Sequence, residues 1–175
     1  MNIEKFVELS LGEWQSMRSG HSLLFKQFEE IVSTIKINSL KLSNPEVHEI
    51  INSISLKKAT AIMPFKISWQ SESNWEENSK PEFGECILVP FPYSDKNGFI
   101  HRSIGYFEKV KANSNYNFLS DGTLVLTTEY EETKTIEKIW FVSKNVRCRS
   151  SVIISKSSSG ILQTSFASEI RRLQI

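Results

Sequence analysis

The sequence predicts an all-β protein with minor helices, organised as an antiparallel up-and-down β-barrel of about eight to ten strands. Segments in which polar and apolar residues alternate recur at roughly ten-residue spacing along most of the chain. The dipeptides Asn97-Gly98 and Asp121-Gly122 separate neighbouring segments, and such pairs are typical of β-hairpin turns. A length of 175 residues suits one domain, so we expect residues 1–175 to form a single domain. A barrel of this size can hold one small ligand.

Two short stretches predict helices. The first has apolar residues at helical spacing and a glycine stop signal, namely Ile3, Phe6, Val7 and Gly12. The second begins where Ser43 or Asn44 can cap a helix and Pro45 suits its first turn. Its apolar residues follow at i, i+3, i+4 and i+7, and they are Val47, Ile50, Ile51 and Ile54. We therefore expect a short N-terminal helix and one amphipathic helix beside the strands.

The other elements are predicted strands. A long strand over residues 14–28 is followed by a partner over 31–38, with the turn near Glu29 and Glu30. The clearest period-two alternation gives the next strand one large apolar face, formed by Met63, Phe65, Ile67 and Trp69. Further strands are predicted over residues 84–93, 99–109, 116–120, 123–130, 136–142, 146–152 and 160–171. Most of these strands follow one another as hairpins.

Composition excludes several classes of protein. Apolar residues make up 39% of the 175 residues and charged residues 23%, as in ordinary globular domains. The formal net charge is only +1, so no electrostatic argument supports binding to nucleic acid or to an anionic membrane. No apolar run approaches the roughly 20 residues of a membrane span. The stretch from Met1 to Phe6 lacks a basic region followed by a long apolar run, so we expect no secretory signal there. We therefore expect no nucleic-acid partner and no membrane insertion.

Motifs of common enzymes are missing from the sequence. No glycine-rich phosphate loop precedes a helix, and no Gly-x-Ser-x-Gly elbow occurs. The histidines and cysteines are His21, His48, His101, Cys86 and Cys148. Their spacing does not match that of metal ligands, so we expect no metal site, and the two cysteines are interpreted as free, buried thiols. Hydrolase and nucleotide-dependent functions therefore lack positive support.

Residues 136–152 form two strands around a polar turn, and the polar content of these strands is unusual. Arg147, Arg149 and Ser151 recur at a spacing of two, so they share one face of the second strand. That face lies either in water or along a polar pocket, and the pattern alone slightly favours water. Inward-facing arginines would need an anionic partner, because an unpaired buried charge costs several kcal/mol. Glu137 or the carboxylates of a ligand could supply it.

Two interpretations also remain open for the apolar face formed by Met63, Phe65, Ile67 and Trp69. These side chains either fill the core or form one wall of a pocket. In the second case, a large flat ligand with carboxylate arms would suit an aromatic wall beside an arginine rim.

Three blocks of the sequence point to a family. They are FVELSLGEWQSMRSGHSL from Phe6 to Leu23, EKIWFVSKNVRCRSSV from Glu137 to Val152, and TSFASEIRR from Thr164 to Arg172. These blocks resemble the S-type phycobiliprotein lyases, the CpcS/CpeS family, in the same order and over nearly the whole chain. The resemblance implies a lipocalin-like β-barrel with short helices, which agrees with the barrel predicted from the alternating segments.

The resemblance also implies a function. Members of the family attach an open-chain tetrapyrrole, such as phycoerythrobilin or phycocyanobilin, to a cysteine of a phycobiliprotein subunit. The acceptor would be an apo-subunit of phycoerythrin or phycocyanin, most often a β subunit. The phycobilin is then a bound substrate, and no permanent cofactor is expected. The compartment would be a cyanobacterial cytoplasm or a plastid stroma, a homodimer is possible, and a non-catalytic bilin carrier of the same fold is the alternative function.

The family's bilin pocket suggests roles for individual residues. Arg147 and Arg149 would bind the propionates, while Arg18 and His21 would lie near the chromophore. Glu137 would face the pyrrole nitrogens and favour the protonated bilin, whose ring-A ethylidene accepts a thiol more readily. Glu137, Arg147 and His21 are the predicted catalytic residues. The other predicted binding residues are Met63, Phe65, Ile67, Trp69, Ser151 and Trp75, the last as a lid.

The nucleophile would belong to the acceptor, so the resemblance requires no reactive cysteine in this chain. Some relatives carry a cysteine where this chain has Phe25, and this departure argues against a covalent intermediate at that position. Cys148, between the two arginines, is accordingly interpreted as a packed thiol.

Overall fold

Ten antiparallel strands close into a barrel in the computed structural model, which describes residues 1–54, 60–73, 82–103 and 112–173. Each strand pairs with its neighbour in sequence, and the first strand pairs with the last. The predicted up-and-down barrel is therefore confirmed. The strands are β1 (Gly12–Ser22), β2 (Gln27–Ser39), β3 (Phe65–Ser73), β4 (Glu82–Pro92), β5 (Asn97–Arg102), β6 (Ala112–Phe118), β7 (Leu124–Glu129), β8 (Thr133–Ser143), β9 (Val146–Ser155) and β10 (Ile161–Arg171).

One end of the barrel is closed by the N-terminal helix α1 (Ile3–Ser10), as the helical spacing predicted. Its apolar side chains pack into the core beside the fully buried Trp14, whose indole Nε1 donates to the last carbonyl of the helix at 2.8 Å. The guanidinium of Arg171 donates to the carbonyl oxygens of Leu9 and Leu11. A cation there is favourable because the C-terminus of a helix carries partial negative charge. We call this the closed end.

A second helix, α2 (Pro45–Ser53), packs against the outer face of β4. Asn44 caps it by accepting from the backbone N–H groups of Glu46 and Val47, so the cap is Asn44 rather than Ser43. The helix and the outer faces of β4 and β5 share a second core, formed by Val47, Ile50, Ala61, Ile87, Val89, Phe91 and Phe99. As a result, β4 is buried on both faces from Cys86 to Phe91. Within the described residues, no helix is long and apolar enough to cross a membrane.

The first hairpin turn differs from the prediction. β1 ends at Ser22 and β2 begins at Gln27, so the turn spans residues 23–26 and not the predicted position at Glu29 and Glu30. The two glutamates instead pair with β1 inside the hairpin. The turn consists of three large apolar residues and a lysine, which is not the glycine- and asparagine-rich composition that signals a turn. The sequence pattern therefore gave no sign of it.

The later turns agree more closely with the predictions. Asp121-Gly122 lies between β6 and β7, as predicted. The turn between β4 and β5 spans residues 93–96, and Asn97-Gly98 forms the start of β5 rather than the turn itself. The part of the predicted strand over residues 104–109 lies outside the described residues.

Candidate functional site

The half of the barrel away from the closed end encloses a cavity of about 340 Å³. This volume lies within the range of small-molecule sites. Its apolar wall consists of Ile31, Ile35, Ile67, Trp69, Tyr130 and Ile153. Its hydroxyl groups belong to Ser16, Ser33, Ser71, Thr128, Thr135, Ser151 and Ser165. A flat apolar ligand with several polar groups would therefore find partners on both kinds of wall.

The polar face of β9 points into the cavity, whose lining includes Arg147, Arg149 and Ser151. Glu137 of β8 and Trp69 of β3 line the same cavity. The interpretation that this face lies in water, which the pattern slightly favoured, is therefore wrong. Arg147 is only 6% exposed, so its charge has left water and needs a partner inside the barrel.

Glu137 forms a buried ion pair with Arg102 of β5. Arg102 Nη2 donates to Glu137 Oε2 at 2.7 Å, and the two side chains are 3% and 10% exposed. Burial by itself would raise the pKa of Glu137, but the charges of Arg102 and Arg149 outweigh it and hold that pKa below its ordinary value. Glu137 is therefore an anion at neutral pH, although it lies inside the protein.

A second buried cluster joins Arg147 and Arg149 to Glu169 of β10. Arg147 Nε donates to Glu169 Oε2, and Arg149 Nη2 lies 3.2 Å from Glu169 Oε1. Burial opposes ionisation of this carboxyl, but the charges of Arg149 and Arg147 hold the pKa of Glu169 below its ordinary value. The internal carboxylate that pairs with both arginines is thus Glu169, whereas Glu137, one of the partners that the sequence offered, is hydrogen-bonded to Arg102.

A third ion pair, between Arg18 and Glu29, marks where the cavity meets solvent. Arg18 Nη2 donates to Glu29 Oε1 at 2.9 Å, and the side chains are 33% and 46% exposed. Partial burial lowers the pKa of Arg18, yet a guanidinium remains charged at any ordinary pH. We call this side of the barrel the open end.

The indole of Trp69 lies directly against the backbone of Gly84. The two residues are paired across β3 and β4. A Cβ added at Gly84 would lie 2.1 Å from Trp69 Cζ2, which is closer than non-bonded atoms approach. Only glycine at this position leaves room for the indole to lie along the cavity wall.

The chain matches the family model described as CpeS-like protein over residues 2–172. The chain belongs to the CpeS-like family. A similar protein, chromophore lyase CpcS/CpeS 3 of Trichodesmium erythraeum (strain IMS101), is 47% identical over 173 residues, which cover 98% of this chain and 99% of the relative. The phycocyanobilin lyase subunit CpcS of Picosynechococcus sp. is 29% identical over 96% of this chain and 85% of its own length.

A solved structure shares the whole fold with this CpeS-like protein. It is the S-type phycobiliprotein lyase CpeS from Guillardia theta, with a TM-score of 0.86 and 30% sequence identity. The match covers 100% of this chain and 95% of that structure. The resemblance to S-type phycobiliprotein lyases seen in three blocks of sequence is therefore confirmed, as is the enzyme class, a lyase.

Some residues that the resemblance placed at the site of this CpeS-like protein lie elsewhere. Phe65 is buried in the core of the closed end, and Met63 packs against that core just before β3. In the described part of the chain, the cavity wall includes Ile67 and Trp69 but neither of these two residues. Trp75 lies outside the described residues. The predicted apolar face is thus half core and half cavity wall.

His21 lies on the outer surface of β1, which contradicts the expectation that it lies near the chromophore with Arg18. Its ring centre is 4.8 Å from that of Phe28, and both side chains are exposed. Arg18 and His21 are three residues apart in one strand, so their side chains point to opposite faces. This placement gives no support to a catalytic role of His21 inside the cavity.

The sequence pattern did not indicate Arg102 and Tyr130, which line the cavity, or Glu29 and Glu169, which pair with its arginines, and it missed most of the hydroxyl-bearing wall as well. A signal for Glu169 was present, because β9 and β10 are joined by a short loop and antiparallel pairing across it places Glu169 opposite Arg147. Arg102 had no local signal, since its partner Glu137 is 35 residues away in sequence.

Neither a metal cluster nor a reactive thiol belongs to the cavity as described. Among residues 1–54, 60–73, 82–103 and 112–173, no group of three or more His, Cys, Asp or Glu side chains could hold a metal ion. Cys86 and Cys148 are not joined in a disulfide; Cys86 is buried and Cys148 is half-buried. Cys148 has the opposite parity in β9 to its cavity-facing neighbours Arg147 and Arg149, so its thiol points away from the cavity.

Proposed function

We propose that this protein binds an open-chain tetrapyrrole in the cavity and attaches it through a thioether to a cysteine of a phycobiliprotein subunit. One observation carries the proposal, namely that Arg147, Arg149 and the indole of Trp69 line a single cavity. A bilin has a flat conjugated ring system and two propionates, so it needs an aromatic wall and fixed cations. The similarity to relatives named as chromophore and phycocyanobilin lyases supports the same assignment.

The propionates are assigned first to the arginines that keep partial exposure. The side chains of Arg149 and Arg18 are 23% and 33% exposed, so an incoming carboxylate can reach them from the cavity. The side chain of Arg147 is 7% exposed, and its Nε already donates to Glu169. Arg147 therefore adds positive charge to the propionate site and holds the cluster in place, and Ser151 offers a hydroxyl beside it.

Glu137 is assigned to the pyrrole nitrogens. Its carboxylate stays ionised in the cavity because the charges of Arg102 and Arg149 outweigh the burial that would raise its pKa. An anion beside the pyrrole N–H groups stabilises the protonated, cationic bilin more than the neutral form. Protonation withdraws electron density from the ring-A ethylidene group, which becomes a better acceptor for a thiol. Arg102 is then a positioning residue that holds Glu137 in its charged form.

The transfer step is an addition that needs no oxidant or reductant. The sulfur of the acceptor cysteine bonds to the ethylidene carbon, the carbon–carbon π bond opens, and one proton is added to the neighbouring ring carbon. The acceptor thiol gives up one proton, so the atoms balance and no group leaves. Because the acceptor supplies the nucleophile, the contribution of this chain is to exclude water and to fix the orientation of the bilin.

The proposal extends to the identity of both partners. We propose phycoerythrobilin or phycocyanobilin as the substrate and a β subunit of phycoerythrin or phycocyanin as the acceptor. The reaction would then take place in a cyanobacterial cytoplasm or a plastid stroma, and the homodimer stays a prediction. The support for these finer assignments is the general one, a cavity suited to a dicarboxylate and relatives named as lyases of chromophores.

The test is to mix the protein with each bilin, record the visible spectrum, and then add the apo-subunit. We expect a spectral shift on mixing and faster formation of a covalent product that fluoresces with zinc. A shift without faster product would show a bilin carrier instead of a lyase. No shift with either bilin would refute the proposal.

Variants of β9 make the same test specific to the cavity. Arg149→Gln should weaken bilin binding about tenfold, because it removes a partly exposed cation from the propionate site. Ser150→Ala, one position along the same strand and facing outward, is the matched control and should bind bilin like the wild type. Equal bilin affinity of the two variants would refute the assignment of the propionate site.

A further inference from the structure

Three large apolar residues follow one another in the turn between β1 and β2. Leu23, Leu24 and Phe25 are 55%, 62% and 69% exposed. Phe28 of β2 and Ile161 of β10, which are 47% and 49% exposed, lie on the strands that flank this turn. Turns are normally polar, and a contiguous group of exposed apolar side chains marks an interaction site. We call Leu23, Leu24 and Phe25 the apolar tip.

The backbone of the apolar tip is fixed to the barrel. The N–H groups of Leu23 and Leu24 donate to the carbonyl oxygen of Leu162 in β10 at 2.8 and 3.4 Å. The N–H of Phe25 donates to Ser22 Oγ at 3.3 Å. The three side chains are thus presented to solvent by a preformed turn, which reduces the entropy lost when a partner binds.

The apolar tip lies at the open end of the cavity. β1 and β2 contribute Arg18 and Ile31 to the cavity wall and continue past these residues to the tip. The partly exposed pair of Arg18 and Glu29 lies between the cavity and the tip. The opposite end is filled by α1 and the core beneath it. A molecule that reacts with a bound ligand must therefore approach at the open end, beside the tip.

We propose that the apolar tip is a docking surface for the acceptor polypeptide, and that it places the acceptor thiol at the open end of the cavity. This inference rests on the proposed function, since it presupposes that a ligand bound in the cavity is transferred to a protein. The partner surface is an apolar patch next to the acceptor thiol. Contact there orders the acceptor segment in front of the ligand, which raises the rate by fixing the distance and direction of attack.

The size and charge of the tip favour a transient protein partner. The three side chains of the tip, together with Phe28 and Ile161 beside them, are each about half to two-thirds exposed and offer a few hundred Å², below the roughly 800 Å² per partner of a stable complex. This area suits an acceptor that must leave after each transfer better than a permanent second copy of the chain. Lys26 completes the turn, but Glu29 and Glu30 follow it closely, so the region does not have the cluster of cations that an anionic membrane attracts.

The experiment compares the double variant Leu24→Ser/Phe25→Ser with the wild type and with Val142→Ser. Val142 is 66% exposed at the far end of β8, next to the turn whose Lys144 carbonyl accepts from Arg171 at the closed end. Binding of each protein to the apo-subunit is measured without bilin by biolayer interferometry, and bilin affinity is measured separately by spectral titration. We expect the tip variant to bind the apo-subunit about tenfold more weakly and bilin unchanged, and the Val142 variant to match the wild type in both.

The two measurements separate this inference from the proposed function. Failure of the wild type to bind bilin would refute the proposed function, whereas apo-subunit binding that is absent or unaffected by the tip variant would overturn the docking inference. Analytical ultracentrifugation tests whether a second copy of the chain binds the tip, and sedimentation with vesicles of phosphatidylcholine and phosphatidylserine tests whether a membrane does. If the tip variant abolishes a dimer or vesicle binding but leaves binding to the apo-subunit intact, the tip serves a second copy or a membrane and the inference is overturned.

Discussion

The two ends of the barrel are built from the same strands but from different inward-facing side chains. β8 carries Glu137 in the cavity of the open end and Phe141 against the core of the closed end. β1 changes in the same way, from Arg18 at the open end to the fully buried Trp14 at the closed end. The pairing of β1 with β10 is continuous through both halves, and that of β8 with β9 runs unbroken from Thr133 to Phe141, with a register shift only beside their shared turn. The two ends of the barrel therefore differ in their inward-facing side chains and not in their architecture.

The same difference explains how the barrel tolerates charges in its interior. Burying two ion pairs costs several kcal/mol of desolvation before the charges attract each other. The apolar core beneath α1 provides the burial of hydrophobic surface that offsets such a cost. The two halves meet where Arg147 lies 4.6 Å from the centre of the Trp14 ring, a cation–π contact between the charged cluster and the core.

Removal of one aromatic ring from the closed end should have the largest effect on stability. Phe6 is 5% exposed, and its ring centre lies 5.6 Å from that of Phe141 and 5.9 Å from that of Phe118. Phe6→Ala leaves a void there, and such changes cost about 3–5 kcal/mol of unfolding free energy. Denaturant unfolding measures the loss, with the exposed Val142→Ala as control. A loss below about 1 kcal/mol would show that the closed end is not the stabilising half.

Removal of one cation from the cavity should come second. Arg102→Leu leaves Glu137 buried without its hydrogen-bonded partner, which costs about 3 kcal/mol because only the more distant charge of Arg149 remains. The double variant Arg102→Leu/Glu137→Leu should recover part of this stability, since no unpaired carboxylate remains. Bilin bound to the single variant should lose the spectrum of the protonated chromophore. If the single and double variants unfold at the same denaturant concentration, the pair does not act as a unit.

An added methyl group beside Trp69 should have a smaller effect on stability and a clear effect on the ligand. Gly84→Ala places a Cβ where the indole lies, and overpacking of this kind costs about 1–3 kcal/mol. The indole must move away from the cavity wall, so we expect bilin affinity to fall. Gly160→Ala, whose added Cβ meets only a serine hydroxyl at 3.2 Å, is the matched control. Bilin affinity equal to that of the control would show that Trp69 is not part of the binding wall.

The fold was predictable because its signals are local. Alternation within strands and Asp121-Gly122 between them follow from neighbouring residues, and an up-and-down barrel pairs mostly neighbours. The turn at Leu23, Leu24 and Phe25 was not predictable from composition, since its apolar side chains look like a continuation of the strand. The same apolar character that hid the turn is the basis of the docking inference.

The site was predictable only in part, because parity along one strand is local and pairing between strands is not. The spacing of Arg147, Arg149 and Ser151 correctly indicated a shared face, but both faces of the neighbouring strand carry large apolar residues, so the direction stayed undecided. Glu169 and Arg102 complete the charge pairs through register across the barrel. Spacing alone could have excluded His21, since it and Arg18 have opposite parity.

Acidification should have the smallest effect on stability, and it acts on the open end because the buried carboxylates there lose their charge. Burial would raise the pKa values of Glu137 and Glu169, but the arginine charges outweigh it and hold both below the ordinary 4.5. An ion pair whose carboxyl has a lowered pKa stabilises the fold fully above pH 4.5, and it loses that contribution as the pH falls through the pKa of the folded state. We expect the denaturant midpoint of the wild type to vary little down to pH 4.5 and to decrease at lower pH. The midpoint of Arg102→Leu/Glu137→Leu should decrease less steeply, because this variant lacks one of the ion pairs. Parallel curves for the two proteins would show that the Arg102–Glu137 pair does not contribute to the acid dependence, and would assign that dependence to the remaining carboxylates, Glu169 among them.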